Sequence, residues 1–266
     1  MERLQKILAR AGIASRRASE GLIQQQRVTV NGEPARIGQS ADAGRDDIRV
    51  DGRRISAPAE TLWVLLNKPA GVVVSDRAQG HRPTARQLVD LPSRLFAVGR
   101  LDVQSEGLVV LTNDGPSADR LTHPRYEHEK EYRVLLNRPP DEEQQAAWRR
   151  GLVLADGYRT GPARLSREPG GRAQRWYRLV LREGHKRQIR ESAKALGLRV
   201  ERLIRIRLGP FMLGTMKLGE WRLATPAEVE GIRSGPARTN GRTRRPGPSH
   251  RRRSPAPSAV RAKRNR

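Results

Sequence analysis

The stretch GRLDVQSEGLVVLTNDG, residues 99–115, decides how the middle of this chain folds. Its apolar run at 108–111 is closed by the polar residues 112–115, and a second apolar run at 95–98 comes just before it. Apolar runs of this length that are bounded by Gly, Asn and Asp predict buried strands rather than helices. Asp102 therefore lies on a loop between two strands of one sheet, a position where rigid scaffolds often hold catalytic side chains.

The composition limits the class of protein. The chain has 266 residues and no cysteine. This length suits two modest domains with extensions, and the lack of cysteine excludes disulfides, thiolate metal sites and cysteine nucleophiles. No apolar stretch approaches the roughly 18 residues that span a bilayer, and the N-terminus mixes charges with its apolar residues, unlike a secretory signal. We therefore expect a soluble, cytoplasmic protein that does not bind membranes.

Positive charge is spread along the chain and is densest at its end. The formal net charge is +25, and residues 233–266 contain 12 Lys or Arg and no acidic residue. The rest of the chain still carries +13. A protein this basic is expected to bind a polyanion, most often a nucleic acid. The segment after residue 233 has almost nothing apolar to bury, so we predict a disordered basic tail that binds RNA loosely and in a salt-dependent way.

The N-terminal segment predicts two helices followed by two hairpins. Leu4, Ile7 and Leu8 follow helical spacing, and Ser15 stands where the N-cap of a second helix belongs. The alternating runs VTV and IRV are each followed by an Asn-Gly or Asp-Gly pair, which favours a type I′ turn. We therefore predict two helices packed on a small sheet, in a unit that ends near Ile55.

The apolar run at 62–66 begins the second domain with a buried strand. A turn is expected at 67–71, where Lys68 either touches phosphate or is an ordinary turn lysine, and a further strand at 72–74. Later strands are predicted over 129–136, 175–182 and 200–208. Later helices are predicted over 116–121 and 141–151, and a further helix follows the segment 183–190 and ends at about residue 196.

Four separated motifs give the chain a resemblance to a known family. In chain order, NKPAGVV, the stretch quoted above, KEYRV and EGHKRQIR resemble the motifs of ribosomal RNA pseudouridine synthases of the RsuA/RluB family. The N-terminal RLQKILARAGIASRRASEGLIQQQRVTVNG resembles the S4 RNA-binding domain. This N-terminal stretch and the basic tail look more like the large-subunit members, the RluB type, than like the small-subunit ones.

The resemblance implies an α+β fold. It implies an S4-like domain at 1–55, a linker at 56–61, a catalytic domain at 62–232 with a mixed, largely antiparallel sheet, and the disordered basic tail at 233–266. The implied reaction breaks the N1–C1′ bond of a uridine in RNA and rejoins the base through C5. No cofactor is expected, because the oxidation state does not change. The target base must leave its stack, as it does in other base-modifying enzymes.

The resemblance also assigns roles to single residues. Asp102 takes the position of the catalytic aspartate, Tyr132 and Ile189 form the walls of the base pocket, and Arg190 pairs with the aspartate. The candidate substrate-binding residues are Arg100, Lys130, Tyr132, Ile189 and Arg190. The candidate RNA-binding residues of the S4-like domain are Lys6, Arg10, Arg16, Arg17 and Arg27.

The chain departs from the family pattern at two positions. Ser105 keeps the hydroxyl of the usual threonine, and Glu191 stands where a second basic residue usually follows Arg190, which weakens a local RNA contact. Other kinds of site lack support. The five histidines show no ligand spacing, so we expect no metal, and there is no P-loop, dinucleotide fingerprint or nucleophile elbow.

Three functions follow from these patterns. The first is a pseudouridine synthase for large-subunit (23S) or alternatively small-subunit (16S) ribosomal RNA, a monomer that acts on free RNA or on a pre-ribosomal particle. The second is a non-catalytic RNA-binding factor in ribosome assembly, although the intact Asp102, Tyr132 and Arg190 argue against it. The third is DNA binding through the N-terminal helices, which lack base-reading Asn or Gln at the start of the second helix. Whether Asp102 attacks C1′ or removes a proton from the sugar stays open.

Overall fold

The computed structural model describes residues 1–55, 60–75, 80–169 and 175–234. Most of the predicted linker, residues 56–59, and the predicted basic tail after residue 234 lie outside the described residues. The described residues belong to one compact unit, so the boundaries between the expected domains stay a prediction. No helix in these ranges is long and apolar enough to cross a membrane.

The described ranges form six α-helices, two short 3₁₀ helices and fifteen strands. The α-helices are Leu4–Arg10 (α1), Arg16–Gln24 (α2), Gly115–Thr122 (α3), Glu142–Arg150 (α4), Gln188–Ala195 (α5) and Pro226–Ser234 (α6), and the 3₁₀ helices are Ala85–Leu88 and Pro124–Tyr126. The strands are Glu2–Arg3 (β1), Val28–Val30 (β2), Glu33–Pro34 (β3), Ser40–Ala41 (β4), Ile48–Val50 (β5), Arg53–Arg54 (β6), Trp63–Lys68 (β7), Phe96–Ala97 (β8), Glu106–Thr112 (β9), Lys130–Leu136 (β10), Arg164–Arg167 (β11), Trp176–Leu181 (β12), Val200–Leu208 (β13), Phe211–Met212 (β14) and Trp221–Leu223 (β15).

The N-terminal segment has the architecture that its sequence predicts. Ser15 caps α2 by accepting a hydrogen bond from the backbone N–H of Ala18 at 3.2 Å. The Asn31-Gly32 and Asp51-Gly52 pairs join β2 to β3 and β5 to β6, and all four residues have positive φ, as a type I′ turn requires. These strands form one sheet in the order β3-β2-β5-β6, and both helices bury apolar side chains in the same cluster as the strands.

The larger sheet has the strand order β11-β12-β10-β13-β9-β7-β15, with β14 beside β13 and β8 beside β9. The pairing of β13 with β9 is parallel, and the other pairings within this sheet are antiparallel. The expected mixed, largely antiparallel sheet is confirmed. Asp102 lies between β8 and β9, on the predicted loop.

β7 and β9 are buried on both faces of this sheet. Alternate residues of a strand point to opposite faces, and here Trp63 and Leu65 pack in one cluster with residues of α3 and α6, while Val64 and Leu66 pack in another. A strand that is covered on both sides appears in the sequence as a continuous apolar run. For this reason the runs at 62–66 and 108–111 predicted the strands correctly.

Two expectations near β7 are wrong. Lys68 belongs to β7 rather than to a turn, and its side chain is fully buried, so it neither touches phosphate nor acts as an ordinary turn lysine. Its ammonium donates to the carbonyls of Pro69 and Val72 at 2.8 and 3.0 Å. The chain therefore curls around the ammonium, and residues 72–74 make only an isolated bridge to Thr84 instead of a strand.

A bulge between β10 and β13 decides which arginines face the cavity side of the sheet. Tyr132 pairs with Arg205, whereas the preceding Glu131 pairs with Arg207, so β13 has one extra residue at this point. Neighbouring residues of β10 point to opposite faces. Arg205 and Arg207 therefore lie on opposite faces of the sheet although they are two positions apart.

Candidate active site

A cavity of about 400 Å³ opens on the face of the sheet that carries Tyr132. The loop before β9, strands β10 and β13 and the turn before α5 contribute its walls. The lining includes Arg100, Asp102, Ser105, Lys130, Tyr132, Glu183, His185, Arg187, Ile189, Arg190 and Arg205. The structure thus brings all six predicted catalytic-domain site residues to one cavity, and its volume lies in the range of ligand pockets.

The carboxylate of Asp102 is partly exposed at the cavity. The side chain is 34% exposed, and its oxygens accept no hydrogen bond from the part of the chain that the structure describes. The loop is instead closed through the main chain, because the carbonyl of Asp102 accepts from the N–H of Ser105 at 3.0 Å. The lone pairs of the carboxylate are therefore available to a substrate in the cavity.

The cation nearest to Asp102 is not the predicted one. Nη1 of Arg187 lies 4.0 Å from Oδ2 of Asp102, and within the described ranges Arg190 makes no ion pair with this carboxylate. Arg187 also contacts Glu191, with Nε 3.4 Å from Oε1. The departure from the family pattern at residue 191 thus gives Arg187 a second carboxylate partner.

Arg190 lies in the same cavity but binds the loop rather than its carboxylate. Its guanidinium donates to the carbonyls of Val200 and Gln104 at 3.2 and 3.5 Å and to Oγ of Ser105 at 3.4 Å. Burial and the charge of Arg187 lower the pKa of Arg190, and the charge of Asp102 opposes them.

Two buried cations donate hydrogen bonds to backbone carbonyls of the same loop and of its ends. Arg205 is only 3% exposed, and it donates from Nε to the carbonyl of Leu108 at 2.7 Å and from Nη1 to the carbonyl of Arg100 at 3.4 Å, at the two ends of the loop. Lys68 donates to the carbonyl of Val103 at 3.4 Å. Burial lowers the pKa of Lys68 to about 8. The carbonyls of the loop therefore receive the hydrogen bonds of these cations, while the Asp102 carboxylate receives none.

The predicted walls of the base pocket come from β10 and α5. Tyr132 is half-buried and packs against two core clusters, and Ile189 is buried in the first turn of α5. Lys130 comes from the same strand as Tyr132. Burial and the charge of Arg205 lower the pKa of Lys130, and the charge of Glu183 opposes them.

A second polar cluster borders the cavity at the turn before α5. Nε2 of His185 lies 2.7 Å from Oδ2 of Asp156, and the ring of His185 stacks on that of Tyr158 with centroids 4.0 Å apart and planes 6° apart. Glu183 accepts from the Tyr158 hydroxyl at 2.8 Å and from the N–H of Gly161 at 2.7 Å. The bond to Glu183 raises the pKa of Tyr158. Sequence analysis missed this cluster, because its partners lie more than twenty residues apart.

The predicted contacts of the S4-like segment differ in their surroundings. Lys6, Arg16 and Arg17 are exposed, and within the described ranges their side chains have no hydrogen-bond or ion-pair partner. Arg10 instead lies 3.0 Å from Glu2, and Arg27 donates twice to Asp51, at 2.8 and 2.6 Å. The first three residues are thus the readily available phosphate ligands of this group.

The face of the sheet away from the cavity carries paired charges. Its ion pairs join Arg133, Arg178 and Arg207 to Glu129, Glu131 and Glu168 at 2.7–3.5 Å. Since these arginines are neutralised, the cavity is the more favourable place for a polyanion on this sheet.

The fold and the cavity together define an enzyme that acts on nucleic acid. The Asp102 carboxylate, which accepts no hydrogen bond from the described residues, stands among cations in a cavity of nucleotide size, and a basic helix pair belongs to the same compact unit.

Comparison with known proteins identifies the family. Residues 62–195 match the RNA pseudouridylate synthase family, and residues 2–44 match the S4 domain. The chain is 37% identical over 231 residues to an uncharacterized RNA pseudouridine synthase of Aquifex aeolicus, and this alignment covers 85% of this chain and 92% of that protein. It is 35% identical over 237 residues to ribosomal large subunit pseudouridine synthase B of Bacillus subtilis, and this alignment covers 88% of this chain and 96% of that protein.

A solved structure agrees with these matches. The crystal structure of a pseudouridylate synthase superposes with a TM-score of 0.63 at 32% identity, over 87% of this chain and 100% of that one. This chain belongs to the RNA pseudouridylate synthase family and carries the S4 domain in addition. It is therefore an isomerase, as its motifs predict.

Proposed function

We propose that this protein converts a uridine of large-subunit (23S) ribosomal RNA to pseudouridine, with Asp102 as the catalytic residue. The observation that carries the proposal is the Asp102 carboxylate, which accepts no hydrogen bond from the described residues and lies 4.0 Å from Arg187 in a cavity lined by cations. The name of the Bacillus subtilis relative supports the large subunit as the source of the RNA. In this role the protein acts in the cytoplasm as a monomer.

The flipped uridine enters the cavity between Tyr132 and Ile189. Stacking of a base on an aromatic ring contributes roughly 1–3 kcal/mol, and Ile189 supplies an apolar surface on the α5 side. Arg100, Lys130 and Arg190 then hold the polar atoms and phosphates of the nucleotide. These contacts bind the uridine outside its stack, as base-modifying enzymes require.

Breaking the N1–C1′ bond leaves the electron pair on the base, so the uracil departs with negative charge. Asp102 assists either by attacking C1′ or by removing a proton from the sugar. The base then turns and C5 bonds to C1′. In the first case this breaks the bond between the Asp102 carboxylate and C1′, and in the second Asp102 returns its proton to the sugar. The hydrogen on C5 is then lost as a proton, and N1 gains one. The charges of Lys130, Arg187 and Arg205 stabilise the negative uracil, because fixed positive charges near developing negative charge lower the energy of the transition state.

The S4-like segment holds the rest of the RNA. Lys6, Arg16 and Arg17 bind phosphates directly, whereas Arg10 and Arg27 first exchange their carboxylate partners for phosphate. Phosphate contacts of this kind position a protein on the nucleic acid without reading its sequence.

Release of tritium from C5 tests the proposal, because the reaction replaces the hydrogen at that carbon. The purified protein is incubated with 23S or 16S RNA that was transcribed from UTP carrying tritium at C5. Wild type should release tritium from the 23S transcript and not from the 16S transcript, and D102N should release none while it binds the RNA with unchanged affinity. RNA binding without release by wild type would instead favour the non-catalytic assembly factor.

A further inference from the structure

We propose that the ring of His185, backed by Tyr158, is a stacking platform for an unpaired nucleobase next to the target uridine. The inference rests on the proposed function, because it takes the cavity as the site of the flipped uridine. It adds a second nucleobase site at the edge of that cavity.

The ring of His185 is held on one face and at one edge, and its side chain remains partly exposed at the cavity. Tyr158 covers the other face, with ring centroids 4.0 Å apart, and Asp156 holds Nε2 at 2.7 Å. The side chain is nevertheless 27% exposed and lines the cavity. In this proposal, the exposed part of the side chain is taken to be the second face of the ring and the edge away from Asp156.

The platform is held in place before any RNA binds. The hydroxyl of Tyr158 donates to Glu183, and the same carboxylate accepts from the N–H of Gly161. These bonds tie the segment that carries Tyr158 to the turn that carries His185. A rigid ring loses little conformational entropy on binding, so stacking on it contributes more to affinity than stacking on a mobile side chain.

The composition of the turn matches the way proteins bind single-stranded RNA. Lys186 and Arg187 follow His185 directly, and both are exposed. Aromatic side chains that stack on bases, next to cations that follow the phosphates, are the common pattern of such sites. Extrusion of the target uridine breaks the stacks of its neighbours, and stacking of one neighbour on His185 recovers part of that loss.

A double-mutant cycle between the protein and the RNA tests the platform. The RNA is a single-stranded oligonucleotide that contains one uridine, and each flanking nucleotide is replaced in turn by an abasic one. H185Q keeps a hydrogen-bonding group near Asp156 but has no ring, whereas H185F keeps a ring but cannot bond to Asp156. Affinities are measured by fluorescence anisotropy, and thermal unfolding verifies that both variants are folded.

H185Q should weaken binding of the intact RNA about fivefold or more, and one abasic replacement should abolish the difference between H185Q and wild type. H185F should bind within about twofold of wild type. An equal loss for H185Q on intact and abasic RNA would overturn the platform, as would a loss in H185F that H185Q does not share.

K186Q serves as the matched control on the same turn. Its loss of affinity should be the same on intact and abasic RNA and should shrink as salt is added, because it removes only a charge. Isomerisation is measured in parallel on ribosomal RNA. Isomerisation without coupling between His185 and a base overturns the platform alone. Coupling between His185 and a base without isomerisation overturns the proposed function alone. If wild type binds none of the RNAs, both are overturned.

Discussion

Replacing Lys68 by methionine should change how the free energy of unfolding depends on pH. Burial lowers the pKa of Lys68 to about 8 in the folded protein, whereas a lysine in an unfolded chain titrates near 10.4. Between these values the unfolded chain binds more protons than the folded one, so the unfolding free energy rises with pH. From pH 7 to pH 9.5 the lysine alone should add about 2 kcal/mol of stability, at about 1.4 kcal/mol for each pKa unit.

Urea unfolding at several pH values measures this contribution. All four tryptophans lie between residues 63 and 221, so their fluorescence reports on the part of the chain that buries Lys68. The difference between wild type and K68M cancels the other titrating groups, and the loss of the three carbonyl contacts of Lys68 adds only a constant. That difference should shift in favour of wild type by about 2 kcal/mol between pH 7 and pH 9.5.

The exposed Lys186 provides the control for this experiment. K186M makes the same substitution at an exposed position, so a pH effect that appears in K68M and not in K186M belongs to the burial of Lys68. A difference between wild type and K68M that stays flat over the same range would contradict the lowered pKa of Lys68. It would mean that the folded protein does not destabilise the charged form of Lys68.

Three further predictions concern the strands behind Asp102 and a buried histidine. R205K keeps the charge but loses the guanidinium that binds both ends of the loop, so kcat should fall about 100-fold with little change in KM. The control R207K, on the opposite face of the sheet, should keep its activity in the same tritium-release assay. G107A should lose about 3 kcal/mol in urea unfolding, because Gly107 has φ of +101° and a Cβ there would lie 2.3 Å from the Arg205 carbonyl oxygen; an unchanged midpoint would contradict this. Burial lowers the pKa of His128, so its contribution to stability is present above about pH 6.5 and is lost as the pH falls. Wild type should therefore lose stability relative to H128Q below that pH, and thermal unfolding would detect the loss.

The strands at the centre of the fold could be predicted from sequence because burial on both faces produces continuous apolar runs. β7 and β9 show this directly, and the loop that carries Asp102 follows from the spacing of the apolar runs at 95–98 and 108–111. The end of β7 could not be predicted in the same way. Lys68 has the sequence context of a turn, and only the folded chain shows that three backbone carbonyls bind its ammonium.

Six of the residues that line the cavity were predicted from the family motifs, but the ion pair of Asp102 was not. Family motifs pointed to Arg190 as the partner of Asp102, whereas the structure places Arg187 nearer. Arg187 precedes α5 in a left-handed conformation at φ 53°, which the sequence does not indicate. Arg205 was missed because a period of two puts it on the same face as Arg207. The bulge in β13 reverses that relation, and no local pattern in VERLIRIRL predicts it.

The most direct test of the central claim is pseudouridine mapping of ribosomal RNA by chemical modification and reverse transcription. The RNA comes from cells that lack this protein and from the same cells complemented with wild type or D102N. The account predicts one reverse-transcription stop in 23S RNA that vanishes in the deletion, returns with wild type and stays absent with D102N. D102N should accumulate to the wild-type level, because the carboxylate makes no hydrogen bond in the described part of the chain. A stop that D102N restores, or no change at any position of the ribosomal RNA, would contradict the account.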